Sequence, residues 1–164
     1  MVTLEHLLKS RDARSALQRR LLHDNPGKNL ICMTVVMPGS EKRNRQSLTV
    51  ASAAVKALRE VFGEISVERD LETGYEAYLL TALPVEKAKA MACRIEDTHP
   101  LGRLFDIDVI AADGKPAGRS DFGLMPRKCL ICGNDARVCM RLRSHDYNEL
   151  LQHISKMIEA YGLR

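Results

Sequence analysis

Leucine residues recur at helical spacing near the start of the chain, at Leu4, Leu7, Leu8, Leu17, Leu21 and Leu22. Apolar residues at this spacing predict an amphipathic helix. Thr3 is a suitable N-cap for this helix, and the consecutive breakers Asn25, Pro26 and Gly27 end the pattern. The first predicted element is therefore a helix with its apolar residues along one side.

The middle of the chain alternates between the periodicities that distinguish strands from helices. In order, the pattern predicts a strand over residues 29–36 and a helix that has Ser47 as its N-cap and ends at Phe62. Two strands over residues 64–71 and 75–82 then form a hairpin, and a helix from Pro84 to residue 97 precedes a strand that contains Asp106 and Asp108. This order is β-α-β-β-α-β, the ferredoxin-like plan of an antiparallel sheet covered on one side by two helices. Many functions occur on that plan, so the fold class assigns none of them.

Two further helices are predicted near the C-terminus, over residues 134–142 and 146–161, and Gly162 stops the second. The first of them contains a cysteine, so the chain has a C-terminal helical segment with a cysteine in it. With an N-terminal helix before the ferredoxin-like core and this segment after it, residues 1–164 are predicted to form one α+β domain. A length of 164 residues is enough to bury a substantial core.

The composition excludes several classes of protein. Hydrophobic residues make up 45% of the chain and charged residues 28%, as in ordinary globular domains. Neither a membrane span, which needs about 18 consecutive apolar residues, nor a signal peptide is predicted, so the expected location is the cytoplasm. The net charge of +4 favours acidic partners or phosphates. An aromatic content of 4% with no tryptophan argues against a nucleic-acid partner.

Two carboxylates lie two residues apart inside an apolar run, at Asp106 and Asp108. In a strand they project from one face, while Phe105, Ile107 and Val109 pack the other way. Like charges held this close repel unless a cation lies between them, and Mg²⁺ or Mn²⁺ bound beside substrate phosphates meets that need. The alternative is an edge strand with a solvated polar face.

A basic loop over residues 38–45 connects the first strand to the next helix. Main-chain N–H groups and the helix dipole favour anions at such a position. Gly39 allows close approach of the backbone, and Lys42 and Arg43 add positive charge. The P-loop pattern G-x-x-x-x-G-K-[ST] is missing. The loop is therefore either a phosphate-binding site or a solvated basic surface.

Three cysteines and a histidine follow one another at Cys129, Cys132, Cys139 and His145. The leading C-x2-C spacing is that of a zinc knuckle, and structural zinc favours thiolate and imidazole ligands in fours. The second half of the set is stretched compared with the usual two close pairs. A zinc site, packing cysteines and a redox or reactive role therefore all stay open. A disulfide framework is not expected in a cytoplasmic chain.

Three more polar side chains flank the strand that carries the carboxylates. His99 precedes it and is a candidate general base, although a lone histidine is more often a local hydrogen-bonding group. Arg103 presents a planar fork of donors suited to phosphate oxygens, and Arg119 follows on the next segment. Arg127 and Lys128, which lead into the cysteines, are interpreted as surface charges.

Taken together, these residues resemble the citrate lyase holo-acyl-carrier-protein synthases, also called apo-citrate lyase phosphoribosyl-dephospho-CoA transferases. The most specific part of the resemblance is the block H-P-L-G-R-L-x-D-x-D, which runs from His99 to Asp108. Further matching residues occur along nearly the whole chain: Ser10, Arg11, Asp12, Arg14, Gln18, residues 34–39, Lys42, Arg119, Asp121, Pro126, Arg127, Cys129, Leu130, Cys132, Ala136, Cys139 and His145.

The resemblance implies a reaction. The triphosphoribosyl-dephospho-CoA precursor is transferred to a serine of the apo acyl carrier protein, the gamma subunit of citrate lyase, which forms a phosphodiester and releases diphosphate. Chemistry of this nucleotidyl-transfer type depends on neutralising phosphate charge. Asp106 and Asp108 would hold the divalent ion for that purpose. Three cationic side chains would also neutralise phosphate charge: Arg103, Lys42 and Arg43.

Gly39 and Arg119 complete the set of candidate substrate-binding residues.

Two alternatives to this function stay open at the level of sequence. The first is a related synthase that loads the same group onto the carrier of another lyase or decarboxylase. The second is a non-catalytic binding module stabilised by zinc, in which the aspartates form a solvated strand face.

Overall fold

The structure is a computed structural model that describes residues 2–163. Its helices are α1 (Leu4–Asp24), α2 (Arg45–Phe62), α3 (Val85–Thr98), α4 (Ala136–Leu142) and α5 (Tyr147–Gly162), and its strands are β1 (Asn29–Val35), β2 (Val67–Leu71), β3 (Gly74–Thr81), β4 (Phe105–Ile110) and β5 (Pro116–Ala117). Short 3-10 turns occupy Gly102–Leu104 and Ser120–Phe122. None of the helices in the described range is both long enough and apolar enough to cross a membrane.

The five strands form one antiparallel sheet in the order β2-β3-β1-β4-β5. The four longer strands and helices α2 and α3 follow the β-α-β-β-α-β plan, so the predicted ferredoxin-like core is confirmed. β5 adds only two residues at the edge, where Ala117 pairs with Val109 and Pro116 with Ile110. The rest of this edge of β4 has no neighbouring strand among the described residues, and it forms one side of the site described below.

The main hydrophobic core lies between the sheet and helices α2 and α3. Ile31 of β1 and Leu79 of β3 are fully buried in one cluster with Leu58 of α2 and Ala92 of α3. The β4 residues in this cluster are Phe105, Ile107 and Val109, as the alternation predicts. Burial of such side chains is the main stabilising contribution to a domain of this kind, so the core fixes the position of β4.

Helix α1 partly covers the opposite face of the sheet. Leu17 packs there in a second cluster with Leu30, Cys32 and Tyr78. The buried Glu76 on this face is paired with Arg14 of α1 at 2.9 Å. The two-helix cover on one side is therefore as predicted, and the N-terminal helix adds partial cover on the other.

The predicted apolar stripe of α1 is only partly used. Leu4 and Leu8 are 73% and 50% exposed, and the described helix buries only Leu17. Leu21 and Leu22 pack partly buried against the second cluster. Because α1 meets the sheet through its C-terminal half, the leucines of its first turns have no apolar surface to cover.

Several element boundaries differ from the predictions. Asn44, and not Ser47, is the N-cap of α2: its side-chain oxygen accepts the Ser47 N–H at 2.9 Å, and the Ser47 hydroxyl accepts the Asn44 N–H at 2.9 Å. This reciprocal capping box makes Ser47 the third residue of the helix. β2 begins at Val67 and α4 at Ala136, both later than predicted, and Gly162 lies inside the last turn of α5.

Candidate active site

A cleft of about 1250 Å³ lies beside the free edge of β4. Four predicted site residues line it from β4 and the neighbouring segments: Arg103, Asp106, Asp108 and Arg119. Residues 126–147, called the C-terminal wall below, contribute three more: Cys129, Cys139 and His145. The structure therefore brings the carboxylates, two arginines and most of the cysteine-histidine group around one space.

The two carboxylates project from the same face of β4. Asp106 pairs with Thr34 of β1 and Asp108 with Cys32, two positions further along the strand. Asp106 is 49% exposed, and the Asp108 side chain also reaches solvent. The pKa of Asp108 is raised above its ordinary value. The main cause is desolvation by the surrounding protein atoms, and the second is the negative charge of Asp106. The pair therefore concentrates negative charge on one wall of the cleft.

Side chains of α3 replace the missing strand at the edge of β4. The N–H of Ile107 donates to Oε1 of Glu96 at 2.8 Å, and the ammonium of Lys89 donates to the Ile107 carbonyl at 3.4 Å. Lys89 and Glu96 are 6% and 3% exposed, and both line the cleft. Buried main-chain groups need such partners, so α3 holds the carboxylate strand in place.

Arg127 ties the C-terminal wall to the same strand. Its guanidinium donates to the carbonyls of Arg103 and Phe105 at 2.8 and 2.6 Å, and to Oδ1 of Asp106 at 3.2 Å. It also approaches Oε1 of Glu96 at 3.4 Å. The interpretation of Arg127 as a surface charge was wrong, because it makes four hydrogen bonds inside the site.

Sequence reasoning missed Lys89 and Glu96 as site residues. The signal that could have found them is their position on α3: residues seven apart lie on one helical face, and that face also carries the buried Ala92 and Cys93. A charged side chain on the inward face of a helix needs a polar partner. That partner is the main chain of β4, which sequence pattern alone does not reveal.

Arg103 and Arg119 have different surroundings. Nε and Nη1 of Arg103 are buried without a hydrogen-bond partner among the described residues, and the nearest carboxylate oxygen, of Asp97, is 4.0 Å from Nη1. Burial, followed by the charge of Arg127, lowers the pKa of Arg103. Arg119 instead donates to Glu96 at 2.6 Å, and twice to Asp97 at 3.0 Å. Arg103 therefore keeps two buried donors without a hydrogen-bond partner among the described residues, whereas Arg119 is engaged in holding α3.

The basic loop does not turn its cations into the cleft. Lys42 donates to the main-chain carbonyl of Met37 at 2.5 Å, and Arg43 makes two hydrogen bonds of 2.8 Å to the carboxylate of Asp70. Neither residue belongs to the lining of the cleft, which includes only Pro38 of the loop, together with Met37 directly before it. A role for Lys42 and Arg43 in phosphate binding stays a prediction without geometric support.

Gly39 has a packing role in the structure. Its φ of +86° lies in the left-handed region that favours glycine. A Cβ at this position would collide with the hydroxyl of Tyr147, which lines the cleft from the start of α5. Gly39 therefore lets α5 approach the loop, although it is outside the lining of the cleft itself.

His99 also lies outside the cleft lining. Its Nδ1 accepts the N–H of Leu101 at 3.0 Å, and its ring packs against Phe105 and Tyr161 with centroids 4.9 and 5.6 Å apart. A neutral imidazole that accepts at one nitrogen carries its hydrogen on the other. This arrangement does not favour His99 as the base that removes a proton from a substrate.

The cysteine-histidine group forms a compact cluster. The ligand atoms of Cys129, Cys132, Cys139 and His145 all lie within 4.8 Å of one another. Sulfur atoms on a tetrahedral zinc ion would be about 3.8 Å apart, from Zn–S bonds of about 2.3 Å. The stretched spacing in sequence is compensated because Cys139 reaches back from α4. The four side chains therefore come together as a group that could hold a metal ion, as the zinc alternative requires.

A tight turn and charge interactions shape this cluster. Gly133, with φ of +73°, turns the chain after the C-x2-C pair, and a bridge between Lys128 and Asp135 closes the turn. The N–H of Asn134, followed by His145, lowers the pKa of Cys132 to about 6. The same thiol, 3.4 Å away, raises the pKa of Cys139 to about 11. Deprotonating both thiols at this distance would need a cation between the two sulfur atoms.

Comparisons with known proteins identify the family of the chain. The profile of the family described as apo-citrate lyase phosphoribosyl-dephospho-CoA transferase matches residues 2–161. A Shigella boydii protein of that name is 35% identical over 163 residues, which cover 96% of this chain and 88% of the relative. A Streptococcus pyogenes protein, named as a probable transferase of the same kind, is 33% identical over 167 residues, which cover 98% of this chain and 87% of the relative.

A third relative is longer. Protein CitXG of Haemophilus influenzae is 34% identical over 166 residues, 98% of this chain, but the chain spans only 36% of that protein. The matches confirm the predicted family and the transferase class, and they set aside the alternative of a non-catalytic zinc module. The chain belongs to the apo-citrate lyase phosphoribosyl-dephospho-CoA transferase family.

Proposed function

We propose that the protein transfers the triphosphoribosyl-dephospho-CoA precursor to a serine of the apo acyl carrier subunit of citrate lyase, and that the cleft beside β4 is where the transfer occurs. The observation that carries the assignment of the site is the meeting of Asp106, Asp108 and the cationic side chain of Arg103 around one cleft. Carboxylates for a divalent ion and a guanidinium for phosphate oxygens are the groups that phosphoryl transfer needs.

The proposed step exchanges one phosphorus–oxygen bond for another. The serine Oγ attacks the phosphorus nearest the ribose, and the bond from that phosphorus to the next bridging oxygen breaks. The electron pair leaves with diphosphate, which is basic enough to take the serine proton as well. The product is a phosphodiester, and no side chain has to act as a permanent proton acceptor, in keeping with the surroundings of His99.

Asp106 and Asp108 are the residues that would hold Mg²⁺ or Mn²⁺. Oδ2 of Asp106 and both carboxylate oxygens of Asp108 have no hydrogen-bond partner among the described residues, whereas Oδ1 of Asp106 is oriented by Arg127 at 3.2 Å. Hard oxygen ligands of this kind suit Mg²⁺, which also keeps water and phosphate ligands. The bound ion would supply charge neutralisation on the phosphate oxygens and the departing diphosphate.

Arg103 is the residue we assign to the phosphate chain of the precursor. Its Nε and Nη1 are already desolvated, so hydrogen bonds to a phosphate would be made without a further loss of hydration. Arg119 and Glu96 hold α3 against the segment that follows β4. Their contribution to substrate binding is therefore indirect, through the position of the strand that carries the carboxylates.

We assign structural zinc to Cys129, Cys132, Cys139 and His145. Three sulfurs and one imidazole nitrogen form a closed set of four ligands, which is typical of structural and not of catalytic zinc sites. Elemental analysis of protein purified without chelators is expected to find one zinc per chain, and loss of that zinc in Cys139→Ser. A zinc content near zero would contradict the assignment.

A cytoplasmic location agrees with the state of the cysteines. All five cysteines are free in the described structure. Zinc ligation requires thiolates, which persist in reducing compartments and are oxidised in secretory ones. The proposal is therefore that the protein acts in the cytoplasm.

The function is tested by measuring diphosphate release from triphosphoribosyl-dephospho-CoA. Release is expected only when apo carrier subunit, Mg²⁺ and this protein are all present. A carrier whose acceptor serine is replaced by alanine is the matched control, because simple hydrolysis would continue with it. Release that does not depend on the acceptor serine contradicts the proposal, and release with the carrier of another lyase or decarboxylase alone would assign a different partner.

A further inference from the structure

Helix α4 is part of the C-terminal wall of the cleft and is packed only loosely against the rest of the domain. Cys139 is the only buried residue among its seven. Its large apolar side chains point outward: Val138, Met140 and Leu142 are 49%, 75% and 69% exposed. In a soluble domain, exposed apolar residues that cluster within one short helix mark a surface for a partner.

The charged residues of α4 and of the positions directly after it are all positive. Arg137, Arg141 and Arg143 lie on α4 or directly after it, residues 136–145 contain no aspartate or glutamate, and none of the three arginines forms an ion pair with a described residue. Cations near a helix C-terminus are favoured by the dipole, but Arg137 lies in the first turn, where the dipole disfavours a cation. The stability of the helix therefore does not explain Arg137.

Arg143 has a second unexplained property. It is the only non-glycine residue with positive φ in the described range, at φ of +50°. The residue after a helix that adopts this left-handed conformation is usually glycine, since a Cβ is disfavoured there. An arginine at this strained position, with its side chain on the cleft, indicates that the guanidinium has a use that offsets the strain.

The position of α4 relative to the carboxylates identifies the partner. One substrate of the proposed reaction is a side chain of another folded protein, and its hydroxyl must enter the cleft to reach Asp106 and Asp108. The body of that protein must then lie on the rim. Arg137, Met140 and Arg143 line the cleft, whereas Arg141 and Leu142 of the same helix lie outside its lining, so α4 continues from the cleft onto the outer surface.

We propose that the exposed side of α4 (Arg137, Val138, Met140, Arg141, Leu142 and Arg143) is the docking surface for the apo carrier subunit. It fits an acidic surface with apolar side chains beside the acceptor serine. This inference rests on the proposed function, since that function supplies the protein substrate. Complementary charge of this kind mainly accelerates the encounter, and the exposed apolar residues would be covered in the complex.

The test uses the double variant Arg141→Glu/Leu142→Ser, because neither residue lines the cleft. We expect the KM for apo carrier to rise at least tenfold, while the KM for the precursor stays within twofold of the wild type. Arg19→Glu/Arg20→Glu, a charge reversal at two exposed positions of α1, is the control and should leave both KM values unchanged. Raised ionic strength should weaken carrier binding more in the wild type than in the double variant.

A second variant separates docking from folding. Arg143→Gly relieves the left-handed backbone, so its melting temperature should stay level or rise while the KM for carrier rises. An unchanged carrier KM in both variants would overturn the docking proposal. An equal rise in the KM for precursor and for carrier in the α4 variants would also overturn it, because the helix would then serve the small substrate.

Direct binding of apo carrier, measured by calorimetry without precursor, distinguishes this proposal from the function on which it rests. Wild-type protein that binds the carrier but transfers nothing would contradict the proposed function and leave the docking surface standing. Wild-type protein that transfers the group while Arg141→Glu/Leu142→Ser binds the carrier equally well would contradict only the docking surface. Absence of both binding and transfer in the wild type would contradict both.

Discussion

The two sides of the cleft are held in place by different forces. On the β4 side, the strand is fixed by a dry core in which Ile31 and Leu79 are fully buried and by hydrogen bonds from Glu96 and Lys89. On the other side, the C-terminal wall has only Cys139 buried among residues 126–147. The carboxylates therefore sit on a rigid strand, whereas the wall depends on Arg127 and on the cysteine-histidine cluster. Chemistry and partner binding are thus assigned to parts of different stability.

Removing a carboxylate should have the largest effect and should leave both sides folded. Asp108→Ala is expected to lower the rate of transfer by about 10³-fold or more, equivalent to about 4 kcal/mol, because the proposed metal site loses a ligand. Its melting temperature should not fall, since the substitution removes one of two neighbouring like charges. Asp113→Ala, in an exposed turn before β5, is the control, and near-normal transfer by Asp108→Ala would contradict the metal role.

Removing core volume should destabilise the β4 side strongly. Leu79→Ala creates a cavity at a position with 0% exposure, and is expected to lower the free energy of unfolding by about 2–5 kcal/mol. Leu142→Ala makes the same substitution in the C-terminal wall, at a residue that is 69% exposed. It should change the free energy of unfolding by no more than about 0.5 kcal/mol. Equal losses in denaturant unfolding would contradict the difference between the two sides.

Arg103 and Lys42 should differ as phosphate ligands. Arg103→Gln removes the positive charge of a side chain that lines the cleft, and should weaken precursor binding by about 2 kcal/mol, or about 30-fold. Lys42→Ala should weaken it less than about threefold, because its ammonium is used by the carbonyl of Met37. A titration in which Lys42→Ala loses as much affinity for the precursor as Arg103→Gln would show that the basic loop binds the phosphates.

Removal of the proposed zinc ion should destabilise the C-terminal wall alone. After treatment with a strong chelator and return to excess Mg²⁺, the rate of transfer is expected to fall about tenfold, or about 1.4 kcal/mol. Limited proteolysis should then cut within residues 126–147, while the core keeps its cooperative unfolding transition. Simultaneous loss of the core transition would show that the two sides are not independent, and resistance of the wall to protease would contradict a structural metal.

The sheet was predictable because its signals are local. Alternation of apolar and polar residues placed Asp106 and Asp108 on one face of β4 and Ile107 on the other, as observed. The spacing of Cys129 and Cys132 indicated a metal knuckle, which the cluster supports. These inferences need only the period of a strand or the length of a turn, so sequence alone carries them.

Partners across the fold were not predictable in this way. Arg43 is basic and lies in a loop before a helix, but its guanidinium pairs with the carboxylate of Asp70, which is distant in sequence. Arg127 and Glu96 belong to the site because, among the described residues, no strand covers the outer edge of β4 from Phe105 to Ile107. Whether a charge faces a ligand or another side chain is decided by tertiary packing, which no local pattern records.

The most direct test of the central claim is intact-mass spectrometry of the apo carrier subunit after incubation with this protein, Mg²⁺ and triphosphoribosyl-dephospho-CoA. The account predicts a mass gain equal to the precursor minus diphosphate with the wild type, and none with Asp106→Ala, which should remain folded. A carrier of unchanged mass with folded wild-type protein, or the full gain with Asp106→Ala, would contradict the assignment of transfer to the carboxylates of β4.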